Sequence, residues 1–541
     1  MKFCQINKLT WLDYVFLLFI VFAIGLRFYR FEQTYDWIAD NTRDFLVAKH
    51  IVEYQDLKWI APWAAGSHNY LANSVFYYYF LAVFYLLSFG QVFYYQLLFA
   101  IFSTSVMVVF ADLFAKLLFA DKIRRYGTVL LFCLMPTFNL YGRSVFQPYL
   151  LAPFLMMSFY YFLAAYKKQA INQLNLALIF YFTALNLHYA ALILLPWVMT
   201  MSAYLQYKFY VKTKNQSKLQ RFLLSQLNYP NLIILGAILF LLANQLMLKG
   251  SDQGLAYFFT FLNKIFIANS ALYLNSLSLN LNTFFNGLTR SGEFNFAEIL
   301  LALSIFLIFI LFLFKKKTFY SLSLLSVFLL LPIVFLVTHD DLSLPENYFL
   351  VFYLAAPLFW LSVLSSLKKK WSLLLLTSLL LSFFLLSIKQ QVVLQSVSNR
   401  ELISKYRWST KMISADVKLN LADQSDFFIF VIDDQLDWSA PAYWLYLEEN
   451  LELPLVETAR YKYNLVSIKE SSKNLYLICD NPRVSWNQGK EHWCLEYFNS
   501  TNKLQLQPTL IAENAEQNLS IYRLLLNSAV RNVGVYTLAV R

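Results

Sequence analysis

The sequence predicts an α-helical protein that crosses a membrane many times and carries an α/β domain at its C-terminal end. Of the 541 residues, 59% are hydrophobic and only 14% are charged, whereas soluble proteins carry about 25% charged residues. Apolar runs of about 20 residues, the length that crosses a bilayer, recur as far as residue 388. The residues after 389 are more polar and contain short β-rich runs. These observations predict a polytopic membrane protein with some soluble mass.

The apolar runs predict about eleven membrane spans. The first run, Trp11 to Tyr29, is followed by no small-residue cleavage site of the kind that ends a signal peptide, so it is expected to remain as the first span. The predicted spans lie near 12–30, 95–118, 126–142, 148–166, 171–187, 189–207, 229–248, 296–314, 319–338, 347–367 and 371–388.

The basic residues predict the orientation of these spans. They form five clusters between apolar runs: Lys116 to Arg125, Lys167-Lys168, Lys208 to Arg221, Lys315 to Lys317 and Lys368 to Lys370. With the N-terminus in the cytoplasm, about eleven spans leave every cluster on the cytoplasmic side, as the positive-inside rule expects. The net charge of +12 therefore reflects topology, and no nucleic-acid partner is predicted.

The run Ser74–Gly90 is apolar enough to span, but counting it would export all five basic clusters. We interpret it as an interfacial or half-buried helix within the first external loop, residues 31–93. The alternative is a true span with an unusual charge distribution.

The predicted topology divides the chain into a transmembrane domain, residues 1–389, and an extracytoplasmic α/β domain, residues 390–541. In the second, β-rich runs such as Phe427 to Ile432 alternate with polar helical stretches. Cys479 and Cys494 lie close together in this part of the sequence. Because exported proteins retain disulfides, these two cysteines are predicted to pair.

Unusual polar residues collect at the predicted outer ends of the spans, where ionisable side chains facing a cavity are functional candidates by default. Comparable residues are not found on the inner side. The set comprises Asp40, Arg43 and Asp44 after the first span, Arg143 and Gln147 after the third, His188 and Tyr189 after the fifth, and Glu346 and Tyr348 before the tenth.

Each candidate also has a structural interpretation. Asp40 suits the N-cap of a helix that begins near Asn41, and Arg43 suits a contact with lipid headgroups. Asp44 suits an ion pair with Arg43 or Lys49, and His188 suits a satisfied residue of the apolar core. The histidines lack the spacing of a zinc site.

At these residues the chain resembles the glycosyltransferase C (GT-C) superfamily, specifically its protein-mannosyltransferase and lipid A aminoarabinose-transferase group. The resemblance covers about residues 10–370. Its strongest motif is Asp40-Asn-Thr-Arg43-Asp44 after the first span. The other matching features are the Tyr77–Tyr79 helix, the turn Arg143–Pro148, the turn 187–189 and the segment Glu346–Tyr348. The chain departs from the family at Ser67–Asn73, where relatives often carry a lysine that contacts phosphate.

The resemblance implies an activity. The donor would be a sugar on a polyprenyl phosphate held in the lipid bilayer, and Asp40 would act as the general base of an inverting transfer. The donor phosphate would contact Arg43, Arg143, His68 and Tyr348. The remaining substrate contacts would come from Asp44, Tyr78, Gln147, His188, Tyr189 and Glu346. Some relatives place a divalent cation near the carboxylate that corresponds to Asp40 and others use none, so both options stay open here.

The resemblance also implies an acceptor on the external face of a bacterial inner membrane, either a glycan, a lipid or a protein. One alternative is a flippase for lipids or lipid-linked sugars. That class predicts polar residues within the spans and internal pseudo-symmetry, and the sequence shows little of either. A second alternative, a membrane-anchored binding protein acting through residues 390–541, needs far fewer spans.

Overall fold

In a computed structural model the chain is described in a set of separate ranges. They are residues 10–34, 39–55, 75–212, 296–314, 350–394, 399–421, 427–432, 465–467, 474–480, 508–514 and 519–525, with the positions 236, 324, 325, 327, 443, 450 and 451. All structural statements below concern these residues.

Helices dominate the described chain. The α-helices are α1 Trp11–Phe28, α2 Phe31–Thr34, α3 Ala39–Glu53, α4 Val75–Leu87, α5 Val92–Leu118, α6 Lys122–Leu134, α7 Pro136–Tyr141, α8 Leu151–Lys168, α9 Ile171–Leu187, α10 Leu195–Lys212, α11 Phe296–Phe314, α12 Leu350–Ser365, α13 Lys369–Leu394 and α14 Asn399–Asn420. Two 3₁₀ turns, Gln147–Leu150 and Tyr189–Leu194, precede α8 and α10.

Five of the described helices are long and apolar enough to cross a membrane: α1, α5, α8 (counted from Pro148), α11 and α13. The apolar helices α9 and α12 are shorter. The chain is therefore a multi-pass membrane protein in its helical architecture. Apart from single positions, the predicted spans near 229–248 and 319–338 lie outside the described residues.

The predicted span at 126–142 is divided into two helices. Met135, between α6 and α7, has an extended backbone with ψ 120°. Pro136 explains this break, because a proline cannot continue the helix that precedes it and disfavours helical geometry in the residue before it. Proline then occupies the first turn of α7, where its missing N–H costs nothing.

The chain divides into two compact units. The first comprises Met1–Phe31, Trp63–Tyr77 and Gln96–Ser396, and the second comprises Glu32–Pro62, Tyr78–Tyr95 and Val397–Arg541. The division at Ser396 lies near the domain boundary expected at 389. The second unit, however, also includes much of the expected first external loop.

In the first unit, α13 packs against α6, α7, α11 and α12, while α1 packs against α6. Near the start of α1 the buried Asp13 carboxylate accepts hydrogen bonds from the Lys122 ammonium at 2.9 Å and the Tyr126 hydroxyl at 2.5 Å. This network fastens the beginning of α1 to α6. Much of the remaining α1 surface is apolar and exposed, with Leu18 at 69%, as suits a helix that faces lipid.

The second unit contains a five-stranded mixed sheet. Its strands are β1 Phe427–Ile432, β2 Leu465–Ser467, β3 Asn474–Asp480, β4 Pro508–Asn514 and β5 Leu519–Leu525, in the order β2-β1-β3-β5-β4. Only the central pair β1 and β3 is parallel.

One carboxylate on α14 fastens this helix to the sheet. Asp416 accepts a hydrogen bond from the Tyr476 hydroxyl at 2.6 Å and pairs with the Arg523 guanidinium at 2.8 Å. Tyr476 and Arg523 are cross-strand partners on β3 and β5. The carboxylate therefore joins α14 to two neighbouring strands.

Candidate active site

The helix α3 carries the three charged residues that head the candidate site. It begins at Ala39, so Asp40 lies in its first turn, where a carboxylate is favoured by the helix dipole. The helix is fixed in place by four consecutive buried residues, Phe45, Leu46, Val47 and Ala48, each at most 2% exposed. Burial on all sides, not an amphipathic stripe, holds the segment that follows the charged residues.

Asp44 is fully buried, with a side-chain exposure of 0%. Its Oδ1 accepts hydrogen bonds from Arg43 Nε at 3.0 Å and from Arg43 Nη2 at 2.8 Å. The Tyr78 hydroxyl of α4 donates to the same oxygen at 3.0 Å. The structure thus brings together three of the predicted site residues: Arg43, Asp44 and Tyr78. Arg43 retains 14% exposure of its side chain.

Aromatic contacts hold α3 against α4 and the start of α5. The Phe45 ring meets Tyr85 at 5.2 Å and Tyr95 at 5.0 Å, both edge-on. The Tyr85 hydroxyl donates to the Glu53 carboxylate at the far end of α3. Edge-to-face aromatic pairs add to the burial energy of their rings. Tyr78 therefore reaches Asp44 from a helix that is fastened at several points.

Arg143 is also fully buried, but its guanidinium is engaged by the end of the first helix. Its Nε donates to the carbonyl oxygen of Arg27 at 2.5 Å, and its Nη2 donates to the carbonyl of Tyr29 at 2.8 Å. Cationic donors at a helix C-terminus satisfy its last carbonyls and complement its dipole. These hydrogen bonds make Arg143 a cap on the C-terminal end of α1.

Sequence reasoning missed the partner of this cap, Arg27. This side chain is 3% exposed, and its Nη1 donates to the Thr104 hydroxyl at 2.8 Å. Its Nη2 donates to the carbonyl of Phe138 in α7. Arg143 thus donates to the backbone at Arg27, and Arg27 donates to the backbone of α7, which precedes Arg143. We call this arrangement the arginine clasp. The available signal was a lone arginine inside the outer end of an apolar run, which is costly in a membrane.

His188 ends α9, and its Nδ1 accepts a hydrogen bond from the Ala190 amide at 3.1 Å. The imidazole is therefore the neutral tautomer that carries its proton on Nε2. Loss of hydration lowers the pKa of His188 from its ordinary value of 6.5 to about 4. At neutral pH this residue is an uncharged hydrogen-bonding group.

The other predicted site residues are described less fully. Gln147 and Tyr189 begin the two 3₁₀ turns, and the Asp40 backbone lies in α3, but the side chains of these three residues lie outside what the structure describes. His68, Glu346, Tyr348 and Cys494 also lie outside the described residues. Cys479, on β3, is buried and disulfide-bonded.

Within the described residues, no three His, Cys, Asp or Glu side chains form a group that could hold a metal ion. In the Asp44 carboxylate, the nearest described acid to Asp40 in sequence, Oδ1 accepts from Arg43 and Tyr78. The described residues thus supply no three-ligand group, and no chemical step is derived through a cation.

No protein-family model matches the chain, and no curated protein matches it significantly in sequence. Its fold, however, is similar to that of ArnT from Cupriavidus metallidurans. The likeness covers 95% of this chain and 98% of ArnT at a TM-score of 0.58. The identity is 12% to ArnT bound to undecaprenyl phosphate and 11% to apo ArnT.

An archaeal oligosaccharyltransferase, AglB from Archaeoglobus fulgidus in complex with an inhibitory peptide and a dolichol-phosphate, is similar at a lower TM-score of 0.48. It has 12% identity over 95% of this chain and 74% of AglB. The ArnT match, which spans nearly the whole of both chains, shows that this chain has a fold similar to that of ArnT.

Proposed function

We propose that this chain, which has the GT-C fold of ArnT, is an integral-membrane glycosyltransferase. It takes a sugar from a polyprenyl-phosphate donor and transfers it to an acceptor at the external face of a bacterial inner membrane. The observation that carries this proposal is the charged start of α3, Asp40 and Arg43. It follows the first candidate span in a chain whose fold matches ArnT, a protein solved with undecaprenyl phosphate bound, over 95% of its length.

In the proposed reaction the Asp40 carboxylate accepts the proton of an acceptor hydroxyl. The hydroxyl oxygen attacks the anomeric carbon of the donor sugar from the side opposite the phosphate. The bond between the anomeric carbon and the phosphate oxygen breaks, and the electron pair leaves with the phosphate. In-line attack inverts the anomeric centre and requires no nucleotide.

The leaving polyprenyl phosphate gains negative charge as the bond breaks. A guanidinium placed at that oxygen lowers the barrier, because it stabilises charge that develops only in the transition state. We assign this role to Arg43, which is partly exposed and lies three residues after Asp40. Arg143 is less suited to this role, since its Nε and Nη2 donate to carbonyl oxygens at the end of α1.

The roles expected of the other site residues remain predictions. They are phosphate contacts for His68 and Tyr348, and substrate contacts for Gln147, His188, Tyr189 and Glu346. The Cys479–Cys494 pairing also remains a prediction, as do the cytoplasmic N-terminus, the external α/β domain and the identity of sugar and acceptor.

The substitution Asp40→Asn tests the catalytic assignment. It keeps the size of the side chain but removes the base, so transfer is expected to fall by about 100-fold or more. The measurement supplies purified protein in proteoliposomes with labelled polyprenyl-phosphate sugars and cell-envelope acceptor fractions. Asp112→Asn, at an acid paired with Lys116 and Arg125 on α5 and α6, serves as the matched control.

Wild-type transfer by the Asp40→Asn protein would show that Asp40 is not the base. Absence of transfer from every donor, together with movement of lipid-linked sugar across the vesicle membrane, would instead identify a flippase.

A further inference from the structure

We propose that Asp44 and Tyr78 are positioning residues that aim the Arg43 guanidinium at the donor's lipid phosphate. This inference rests on the proposed function and deepens it. It assigns Asp44 and Tyr78 to the orientation of Arg43, whereas the family resemblance implies that both residues contact the substrate directly. The first observation is that Asp44, although charged, is completely buried beside the partly exposed Arg43.

The pairing of Arg43 with Asp44 needs a particular conformation. Consecutive residues of an α-helix point about 100° apart, so adjacent side chains do not normally face each other. Here the arginine folds across the helix surface until Nε and Nη2 both lie within 3.0 Å of Asp44 Oδ1. An arginine that only reached for lipid headgroups would extend away from the helix instead.

The Tyr78 hydroxyl completes this arrangement from α4. It donates to the same Asp44 oxygen at 3.0 Å, so one carboxylate oxygen carries three donors. Tyr78 itself is fully buried. It holds Asp44 from α4, whereas Arg43 lies beside Asp44 on α3. The geometry therefore points to orientation of Arg43 as the task of both residues.

The physical benefit is preorganisation. A guanidinium has five N–H donors in a rigid plane, and a carboxylate on the edge formed by Nε and Nη2 fixes that plane before the ligand arrives. A free arginine loses side-chain entropy when it is immobilised on a phosphate. Asp44 and Tyr78 remove part of that loss in advance, so weakening them should weaken phosphate binding through Arg43 alone.

The test measures binding of radiolabelled undecaprenyl phosphate to the full-length protein in detergent, with undecaprenol as the neutral comparison ligand. Arg43→Ala is expected to weaken phosphate binding about ten-fold, the effect of losing a charge-assisted hydrogen bond. Asp44→Asn is expected to weaken it by a similar factor, and Tyr78→Phe by about three-fold. None should change undecaprenol binding, because the alcohol carries no phosphate for Arg43 to hold.

The decisive comparison adds Asp44→Asn to Arg43→Ala. A residue that acts through Arg43 has no further effect once Arg43 is gone, so the double variant should bind as the single Arg43→Ala variant does. Asp112→Asn again serves as the control and should bind as wild type does. If Asp44→Asn fails to fold, the same cycle is made with Tyr78→Phe, which keeps the ion pair.

Two results would overturn the inference while leaving the proposed function intact. The first is an Asp44→Asn effect of equal size with and without Arg43, and the second is an equal loss of undecaprenol binding. A wild-type protein that does not bind undecaprenyl phosphate at all would reject the inference and the proposed donor together.

Discussion

At the residue scale, the same charged group serves two different purposes in this chain. Arg143 bonds to backbone carbonyls at the end of α1, whereas Arg43 bonds to a side-chain carboxylate and keeps part of its surface exposed. A guanidinium held by carbonyls caps a helix. One held on one edge by a carboxylate can present the N–H donors of its other edge to an anion. The hydrogen-bond partner of each arginine, and not the arginine itself, therefore distinguishes the two roles.

His188 makes a contribution to the stability of the fold that depends on pH. Its folded pKa is about 4, against an ordinary value of 6.5, and protonation would place a hydrogen on the nitrogen that accepts from Ala190. Between pH 6.5 and 4 the unfolded chain binds a proton at this residue and the folded chain does not. Its contribution to stability is therefore complete above about pH 6.5 and is lost as the pH falls toward 4.

The substitution His188→Asn is expected to flatten this dependence. The asparagine Oδ1 can take the place of Nδ1 and accept from the Ala190 amide without titrating. The measurement is the melting temperature of both proteins in detergent from pH 8 to pH 4, since carboxylates shared by both cancel in the difference. A wild-type melting curve that shifts with pH no more than that of the variant would contradict the low pKa of His188.

At the element scale, the arginine clasp fastens the end of α1 to α7 and the residues that follow it. Gly142, between α7 and Arg143, is required for close approach and not for its backbone angles, because its φ is −81°. A Cβ at this position would lie 2.6 Å from Arg27 Nη2 and 2.8 Å from the Phe138 carbonyl oxygen. Both atoms belong to the hydrogen bond that closes the clasp.

Gly142→Ala is therefore expected to destabilise the protein by about 2 kcal/mol, the cost of a lost hydrogen bond to a buried charged group. Gly25→Ala is the matched control, because a Cβ there meets no atom within 4 Å and alanine favours a helix. Thermal unfolding in detergent measures both. Equal melting temperatures for the two variants would show that Gly142 is not needed to close the clasp.

At the scale of the whole molecule, topology depends on the short helix α4. Its 13 residues extend about 20 Å at 1.5 Å per residue, less than the ~30 Å hydrocarbon core. It ends in a turn at Gly90, whose φ of +70° suits glycine. A helix of this length fits the interfacial position that the basic clusters require.

Labelling of Gln91→Cys with a membrane-impermeant maleimide tests this topology in intact cells. Gln91 is exposed after the turn and is expected to react from the external side. Ser366→Cys, exposed between α12 and α13 beside a basic cluster, is expected to react only after the cells are permeabilised. Reaction of position 91 only after permeabilisation would mean that Ser74–Gly90 crosses the membrane.

The sequence predicts those features of this protein that depend on forces acting locally along the chain. Composition and apolar run length predicted a multi-pass helical protein, because the bilayer imposes length and polarity on each helix separately. The ordered motifs predicted the type of fold, and the fold is indeed similar to that of ArnT over 95% of this chain. The break at Pro136 is also predictable in principle, since proline acts on its own neighbours, although the run 126–142 is long enough to be predicted as one span.

The contacts between distant residues were decided only by the tertiary structure. The pairing of Tyr78 with Asp44 joins positions 34 residues apart, and the arginine clasp joins positions more than 110 apart. No local pattern encodes such distances, because they depend on how helices pack. The sequence by itself therefore determined the class of protein and its charged segment on α3. The contacts of α3 with α4, and of α1 with α7, decided which arginine lies beside a carboxylate held by Tyr78 and which one caps a helix.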